Sequence, residues 1–175
     1  MAGKILVVYA TKFGSTKEVA ENIGEVIKAK NIPVDVRKVS SVKDLSKYSA
    51  IILGTPIRMG KPISEAMSFI KKYETGLNAV PVAFFSVGLY MKEDTPDTRE
   101  KAMQCMEPVL ELVTKPVSIG LFGGKIDYNT MPVILRWMFL KDKSGQLSEG
   151  DWRNWESITS WIEEILPELR REVRG

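Results

Sequence analysis

The sequence predicts an α/β fold in which helices cover both faces of a five-stranded parallel sheet, giving three layers. Short apolar runs alternate along the chain with segments whose apolar residues recur at helical spacing. The first run, residues 5–9, is apolar without alternation, which is typical of a strand covered on both faces. The length of 175 residues fits one domain spanning residues 1–175. We expect right-handed crossovers, the strand order 2-1-3-4-5 and an insert before the last helix.

The first half of the chain supplies three strands and two helices. Strands are predicted over residues 5–9, 33–37 and 50–54, and the alternation in the second places it nearer a sheet edge. The first helix is expected to begin with a capping box, in which Ser15 is the N-cap and Glu18 reaches back to it. Apolar residues at helical spacing continue this helix to Ile27, and a similar pattern predicts a second helix from Ile63 to Tyr73.

The second half supplies two further strands, over residues 80–87 and 117–122, and the remaining helices. Thr95 followed by Pro96 predicts a helix start, and Pro108 should kink or divide that helix. An apolar stripe from Trp152 to Leu169 predicts a long last helix. The insert, at about residues 123–150, is too long for an ordinary connection.

The composition excludes several classes of chemistry. Histidine is absent, which removes His-dependent nucleophiles and His-ligated zinc or haem, and we expect no metal site. The single cysteine, Cys105, allows neither an internal disulfide nor a CxxC site, and a packed helix position is expected for it. A net charge of +3 is too small to indicate a nucleic-acid partner. Since no signal-peptide pattern and no apolar run of about 20 residues is present, a cytoplasmic location is expected.

The loop after strand one has the composition of a phosphate site. Ligands of such sheets bind beyond the carboxyl ends of strands one, three and four. This loop combines hydroxyl side chains with a glycine and leads into a helix, whose free N–H groups would bind a phosphate. It consists of Thr11, Lys12, Phe13, Gly14, Ser15 and Thr16. Ser15 and Thr16 could instead serve only as helix caps, and the loop is neither a Walker A nor a GxGxxG motif.

The loops after strands three and four are also rich in glycine and hydroxyl residues. The glycine and proline content after strand three predicts a shaped, exposed loop. Its candidate residues are Thr55, Pro56, Ile57, Arg58, Met59 and Gly60. The candidates after strand four are Ser86, Val87, Gly88, Leu89 and Tyr90. Either loop could be a plain turn, but three such loops at one sheet edge are less expected by chance than one.

These motifs resemble those of the flavodoxins. The pattern Thr11-x-Phe13-Gly14-x-Thr16 is similar to the FMN phosphate loop of that family. Residues 54–60 and 85–87 resemble more narrowly the flavodoxin-domain group that includes menaquinone-dependent protoporphyrinogen dehydrogenase. The resemblance covers nearly the whole chain, including the Thr95-Pro96 helix start and the long insert. It implies a flavodoxin-like fold and FMN as the cofactor.

The resemblance also implies a role for each loop. Residues 11–16 would hold the phosphate, residues 55–60 would line the ring side, and residues 86–89 would close the other edge beside Tyr90 as a stacking partner. Two departures from typical flavodoxins stand out. The second loop has no tryptophan, and the chain is net positive with Arg58 and Lys61 beside the expected ring.

The implied function is that of an FMN-dependent oxidoreductase of the quinone-linked protoporphyrinogen dehydrogenase type, with a quinone or another redox partner. One alternative is a flavodoxin-type one-electron carrier without a substrate of its own. Another is an interaction domain that keeps the fold without a flavin. A phosphoacceptor receiver would share the fold, but Tyr9 and Ala10 supply no acid at the end of strand one.

The insert contains an apolar helix, predicted over residues 131–140, from Met131 to Leu140. It is too short to span a bilayer. It could pack over the fifth strand or form a contact between two copies of the chain. The alternative is peripheral contact with the inner membrane face or a quinone-bearing complex, which Trp137 and the following Lys141 and Lys143 favour.

Overall fold

The computed structural model describes residues 3–171, and its central sheet has the predicted parallel order. The strands in chain order are β1 Lys4–Tyr9, β2 Val34–Lys38, β3 Tyr48–Arg58, β4 Lys61–Pro62, β5 Val82–Gly88, β6 Ser118–Gly123, β7 Lys125–Ile126 and β8 Gly150–Asp151. The main sheet runs β2-β1-β3-β5-β6, and all four of these pairings are parallel. This confirms the order 2-1-3-4-5 for the five predicted strands, with β2 at the edge. Met1 and Ala2 lie outside the described residues, and they belong to the N-terminal segment for which the sequence predicts no signal peptide.

Helices cover both faces of the sheet. They are α1 Ser15–Ala29, α2 Ser64–Lys72, α3 Glu74–Asn78, α4 Pro96–Cys105, α5 Glu107–Leu112, α6 Val133–Leu140 and α7 Trp155–Leu169. In β1, Ile5 and Val7 pack into the core under α1 and α7, while Leu6 and Val8 pack into the core on the opposite face. The absence of alternation in this strand therefore reflects burial on both faces.

The start of α1 differs from the prediction. Its N-cap is Gly14, whose φ of 95° is left-handed, and no side chain caps the helix. Ser15 is the first helical residue, and Glu18 pairs with Arg153 instead of closing a capping box. A glycine adopts this φ without a Cβ clash, so the chain turns sharply before the helix. The predicted Ser15–Glu18 capping box is wrong.

The predicted exposed loop after strand three is wrong for residues 55–58, which are strand, and confirmed only for the exposed turn at residues 59–60. β3 continues through Arg58 and pairs with β4 in a short antiparallel hairpin. The two turn residues, Met59 and Gly60, have φ values of 51° and 76°. Left-handed φ at both positions is the geometry of a type I′ turn, whose twist matches that of the paired strands.

The remaining helix signals are confirmed in most respects. Thr95 and Thr98 form a capping box at the start of α4, and the helix breaks at Met106 just before α5 and its Pro108. Cys105 is buried at the end of α4. The last helix begins only at Trp155, so Trp152 is not part of its stripe.

The insert forms a small subdomain on the β6 edge. It begins and ends with the antiparallel pair β7–β8, which encloses the apolar helix α6. Arg153, just after β8, pairs with Asp151 at 2.6 Å and with Glu18 of α1, so the insert is tied to the first helix. No helix among residues 3–171 is long and apolar enough to cross a membrane.

Candidate functional site

A cavity of about 920 Å³ lies at the carboxyl edge of the sheet, where the three predicted loops meet. Adjacent parallel strands end at the same edge, and the order β1-β3-β5 brings the three following segments together. The predicted site residues that line the cavity are Thr11, Lys12, Phe13, Ser15, Thr16, Pro56, Ile57, Arg58, Met59, Gly60, Val87, Gly88, Leu89 and Tyr90. The tertiary structure therefore gathers segments far apart in sequence into one site.

The loop after β1 presents a helix N-terminus to this cavity. The Thr11 hydroxyl accepts a hydrogen bond from the Gly14 N–H at 3.0 Å, which shapes the turn. The first α1 backbone bond runs from the Glu18 N–H to the Gly14 carbonyl. The N–H groups of Ser15 and the next two residues thus have no intrahelical acceptor, as at every helix start, and are free to bind an anion.

Thr16 supplies a second, independent sign of a ligand here. Its side chain is 1% exposed, yet its hydroxyl oxygen has no hydrogen-bond partner among residues 3–171. A buried polar atom without a partner costs about 1–3 kcal/mol. A phosphate bound at the start of α1 would supply the missing acceptor, so the residues present fit a phosphate-bearing cofactor.

Lys12 is held at the rim of the loop by Glu65 of α2. The Lys12 ammonium lies 2.9 Å from a Glu65 carboxylate oxygen, and both side chains are partly exposed. The hydrogen bond from Lys12 lowers the pKa of Glu65 to about 2. Because this charge is already paired, we assign the helix N-terminus a larger part in anion binding than Lys12.

The β3–β4 hairpin forms the wall opposite this loop. The Arg58 guanidinium stacks over the Phe13 ring at 4.8 Å and so joins the first and second loops. Met59 is 98% exposed at the hairpin tip although its φ is left-handed. A non-glycine residue in this region carries strain of order 1 kcal/mol or more, and such outliers cluster at functional sites. The hairpin tip is therefore a candidate cover for a bound ring.

Three of the predicted site residues do not line the cavity. Gly14 forms the turn before α1, and Thr55 and Ser86 are buried within β3 and β5. The Thr55 hydroxyl donates to the Pro56 carbonyl at 3.0 Å. Because successive strand residues face opposite sides, a contiguous strand segment cannot place every side chain in one cavity.

The wall on the insert side of the cavity consists of residues that no sequence motif indicated. The additional lining residues are Lys92, Glu93, Thr98, Lys101, Gly124, Lys125, Met131, Leu135, Phe139, Gln146 and Leu147. They come from the segment after β5, from α4 and from the insert. The length and apolar content of the insert were the available signals, but neither says which surface an insert covers.

The fold and this site define the class of protein. Residues 6–145 match the Flavodoxin domain family, and the chain belongs to that family. This confirms the predicted family, and FMN is the cofactor that the family implies.

Relatives and solved structures agree with that class. The chain is 25% identical to protoporphyrinogen IX dehydrogenase [quinone] of Escherichia coli (strain K12) over 170 residues, covering 93% of this chain and 94% of the relative. It is 26% identical to the protein of the same name from Leishmania major, covering 82% of this chain and 64% of that protein. Fusobacterium nucleatum flavodoxin bound to flavin mononucleotide has the same fold, with a TM-score of 0.57 and 18% identity over 96% of this chain and 99% of that one.

Proposed function

We propose that this chain is an FMN-dependent oxidoreductase that passes electrons from an organic donor to a quinone. The two protoporphyrinogen IX dehydrogenase [quinone] relatives support this proposal and make protoporphyrinogen the first donor to test. Overall, a donor would lose two electrons and two protons, and a quinone would gain both.

The observation that carries the proposal is the apolar wall that the insert adds to the cofactor cavity. Leu135 and Phe139 of α6 and the buried Met131 before it all line the cavity. Leu135 and Phe139 are four residues apart, so they share one face of α6, and Met131 extends the same apolar wall from the segment before the helix. The volume of about 920 Å³ lies at the upper end of the roughly 300–1,000 Å³ typical of ligand pockets. An apolar wall beside the cofactor site suits a substrate better than it suits a bare electron carrier.

Each loop has a role in this proposal. The N–H groups at the start of α1 and the Thr16 hydroxyl would bind the FMN phosphate. Arg58, Met59 and Tyr90 would orient and cover the ring, and the α6 wall would exclude water. When bound, FMN supplies the acceptor that takes electrons from a donor and releases them to a quinone.

The test is an anaerobic assay of protein purified with its flavin. We expect protoporphyrinogen IX oxidation to depend on an added naphthoquinone, and the visible spectrum to show bound FMN. Fast reduction by a ferredoxin-type partner without quinone turnover would instead support the electron-carrier alternative. Purified protein that takes up no flavin would support the interaction-domain alternative.

We further propose that the protein works in the cytoplasm at the inner membrane face, where a lipid-soluble quinone is accessible. The side of α6 away from the cavity carries Ile134 and Trp137, which are 76% and 57% exposed. Lys141 follows the helix and stacks on the Trp137 ring at 3.7 Å. An exposed apolar helix face with adjacent cations is typical of interfacial membrane binding.

A further inference from the structure

The charges that line the cavity are strongly unbalanced. Among the described lining residues the single carboxylate is Glu93. The cations are Lys12, Arg58, Lys92, Lys101 and Lys125. Lys12 and Arg58 belong to the phosphate loop and the facing hairpin, so three lysines remain without a role in holding the FMN phosphate.

These three lysines lie at the opposite end of the cavity from the phosphate loop. Lys92 follows β5, Lys101 lies on α4 between β5 and β6, and Lys125 follows β6. The phosphate loop follows β1, which is three strand positions from β6, or about 14 Å. We call the region around Lys92, Lys101 and Lys125, together with the α6 wall, the insert end of the cavity. A phosphate bound at α1 therefore lies at the other end of the cavity from these lysines.

Two of the lysines are positioned by contacts with their surroundings. Lys92 donates a hydrogen bond to the Gln146 carbonyl, and its ammonium lies 4.1 Å from the centre of the Trp152 ring. Neither contact neutralises its charge. Lys125 lies 3.5 Å from an Asp127 carboxylate oxygen, and Asp127 is not among the lining residues.

Lys101 is the third, and its surroundings leave its charge unpaired. It is exposed on α4 and forms no ion pair with a carboxylate of residues 3–171. The insert end therefore presents a net positive charge to the cavity, with Glu93 as its lining carboxylate.

The neighbouring surface is apolar. Met131, Leu135 and Phe139 line the same cavity as the three lysines. A hydrated phosphate or a nucleotide gains little from such a wall, whereas an apolar molecule with acid groups is complementary to both parts. A single class of ligand thus accounts for the lysines and the wall together.

We propose that the insert end is a carboxylate-binding subsite, in which Lys92, Lys101 and Lys125 bind the acid groups of a substrate whose apolar body lies against α6. This inference rests on the proposed function, because it names the chemistry of the donor substrate. It also predicts that the lysines select substrate without contributing to FMN affinity.

The experiment uses FMN-loaded protein and measures binding of mesoporphyrin IX, a stable dicarboxylate, by fluorescence anisotropy. The probe's dimethyl ester, which lacks the charges, is the matched ligand. We expect the wild-type protein to bind the diacid about tenfold more tightly than the ester, as for hydrogen bonds to charged groups. K101Q/K125Q should lose about tenfold in affinity for the diacid and none for the ester. Raising the salt from about 50 to about 300 mM should weaken only diacid binding.

The control variant is K115Q, which removes a charge from an exposed lysine that does not line the cavity. Equal affinity of wild-type protein for diacid and ester would overturn the subsite, and so would K101Q/K125Q binding the diacid like K115Q. Displacement of the diacid by NADPH at comparable concentration would overturn it in favour of a dinucleotide. FMN absorbance of each variant verifies that it is folded.

Failure of the proposed function gives a different pattern. Lysine-dependent diacid binding without quinone-dependent turnover of protoporphyrinogen would retain the subsite and remove the proposed reaction. Normal turnover, together with diacid binding that the lysine substitutions do not change, would retain the proposed reaction and remove the subsite.

Discussion

The buried hydroxyl of Thr16 has no hydrogen-bond partner within the described chain, and a bound ligand would explain why. The hydroxyl is buried without a partner at the start of α1. In a protein without a ligand this arrangement only costs stability. Beside the free N–H groups of the helix, it is consistent with a site shaped around an anion.

The substitution Thr16→Val tests this directly, because valine has nearly the same shape and no hydroxyl. We expect the protein without flavin to be as stable as wild type or up to about 1–3 kcal/mol more stable, since the unpaired group is gone. FMN affinity should fall by about 1.5–3 kcal/mol, the worth of a hydrogen bond to a charged group. Denaturant unfolding and fluorescence titration measure the two effects. Riboflavin affinity is the control, and an equal loss for riboflavin and FMN would contradict a phosphate contact.

Arg58 should tune the reduction potential of the bound flavin. Its guanidinium stacks on Phe13 at the cavity wall, and reduction adds negative charge to the ring. A unit charge at 4 Å contributes about 4 kcal/mol at an effective dielectric of about 20, and less when solvent screens it. Since about 1.4 kcal/mol corresponds to about 59 mV per electron, Arg58→Gln should lower the potential by tens of millivolts. Spectroelectrochemistry at low salt checks this. Arg58→Lys keeps the positive charge, so its potential should stay close to that of wild type. A potential unchanged by Arg58→Gln would show that the side chain does not face the ring.

At the scale of single elements, α6 presents one face to the cavity and another to solvent. Leu135 and Phe139 line the cavity, whereas Ile134 and Trp137 face outward. The apolar run from Met131 to Leu140 is therefore divided between a cavity-lining face and an exposed face. Substitutions can therefore separate docking from substrate binding.

The double variant Ile134→Ser/Trp137→Ser should lose binding to vesicles that contain anionic lipid. Burying each of these side chains releases about 1.5–3 kcal/mol, and nearby cations add about 1 kcal/mol each. Retained FMN and unchanged turnover of a water-soluble quinone would show that the cavity is intact. Leu135→Ser/Phe139→Ser is the matched inner-face pair, and it should keep vesicle binding while it impairs turnover.

A change from dimer to monomer in the outer-face variant would contradict membrane docking. It would show that a second copy of the chain covers this face.

Another element-scale contact crosses three strands of the sheet. Asp35 of β2 pairs with Lys4 of β1 at 2.6 Å and accepts a hydrogen bond from the Tyr48 hydroxyl of β3 at 2.8 Å. Burial and the hydrogen bond to Asp35 raise the pKa of Tyr48 to about 12. The contact therefore links β2, the edge strand, through β1 to β3.

Tyr48→Phe should reveal this contact through the pH dependence of unfolding. A raised pKa in the folded state stabilises the protein fully below the unfolded value of about 10, and this contribution is lost as the pH rises to about 12. Near neutral pH, we expect the free energy of unfolding of wild-type protein to exceed that of Tyr48→Phe by about 1.5–3 kcal/mol. That difference should shrink between pH 10 and 12, as measured by urea unfolding. A difference that stays constant across this window would contradict the contact.

At the scale of the whole molecule, the cavity joins loops from three strands and the insert. A ligand bound there adds contacts between segments that are distant in sequence, so it should stabilise the complete fold. FMN at about 100 times its dissociation constant should add about 2.7 kcal/mol, or roughly 5–10 °C in Tm for a chain of this size. Differential scanning fluorimetry with FMN, and with riboflavin for comparison, measures the shift. A shift of equal size in Thr16→Val would argue against the phosphate site.

The sequence by itself determined the fold class, the family and the sheet edge at which the loop of residues 11–16 lies. These depend on local patterns: apolar runs such as residues 5–9 are buried in any parallel sheet, and a hydroxyl-rich turn before a helix lies at the same sheet edge in every member of this fold. The strand order followed from that class.

Only the tertiary structure decided which side chains meet in the site. Whether Ser15 caps α1 depends on the left-handed φ of Gly14, and several backbone conformations satisfy the same local sequence. The helix α6 is apolar nearly all round, so no periodic pattern says that Phe139 faces the cavity and Trp137 faces outward. Lys125 meets Lys92 and Lys101 at the cavity only because the insert packs beside the segment after β5 and α4. Contacts between segments distant in sequence determine that packing, and local propensity does not predict such contacts.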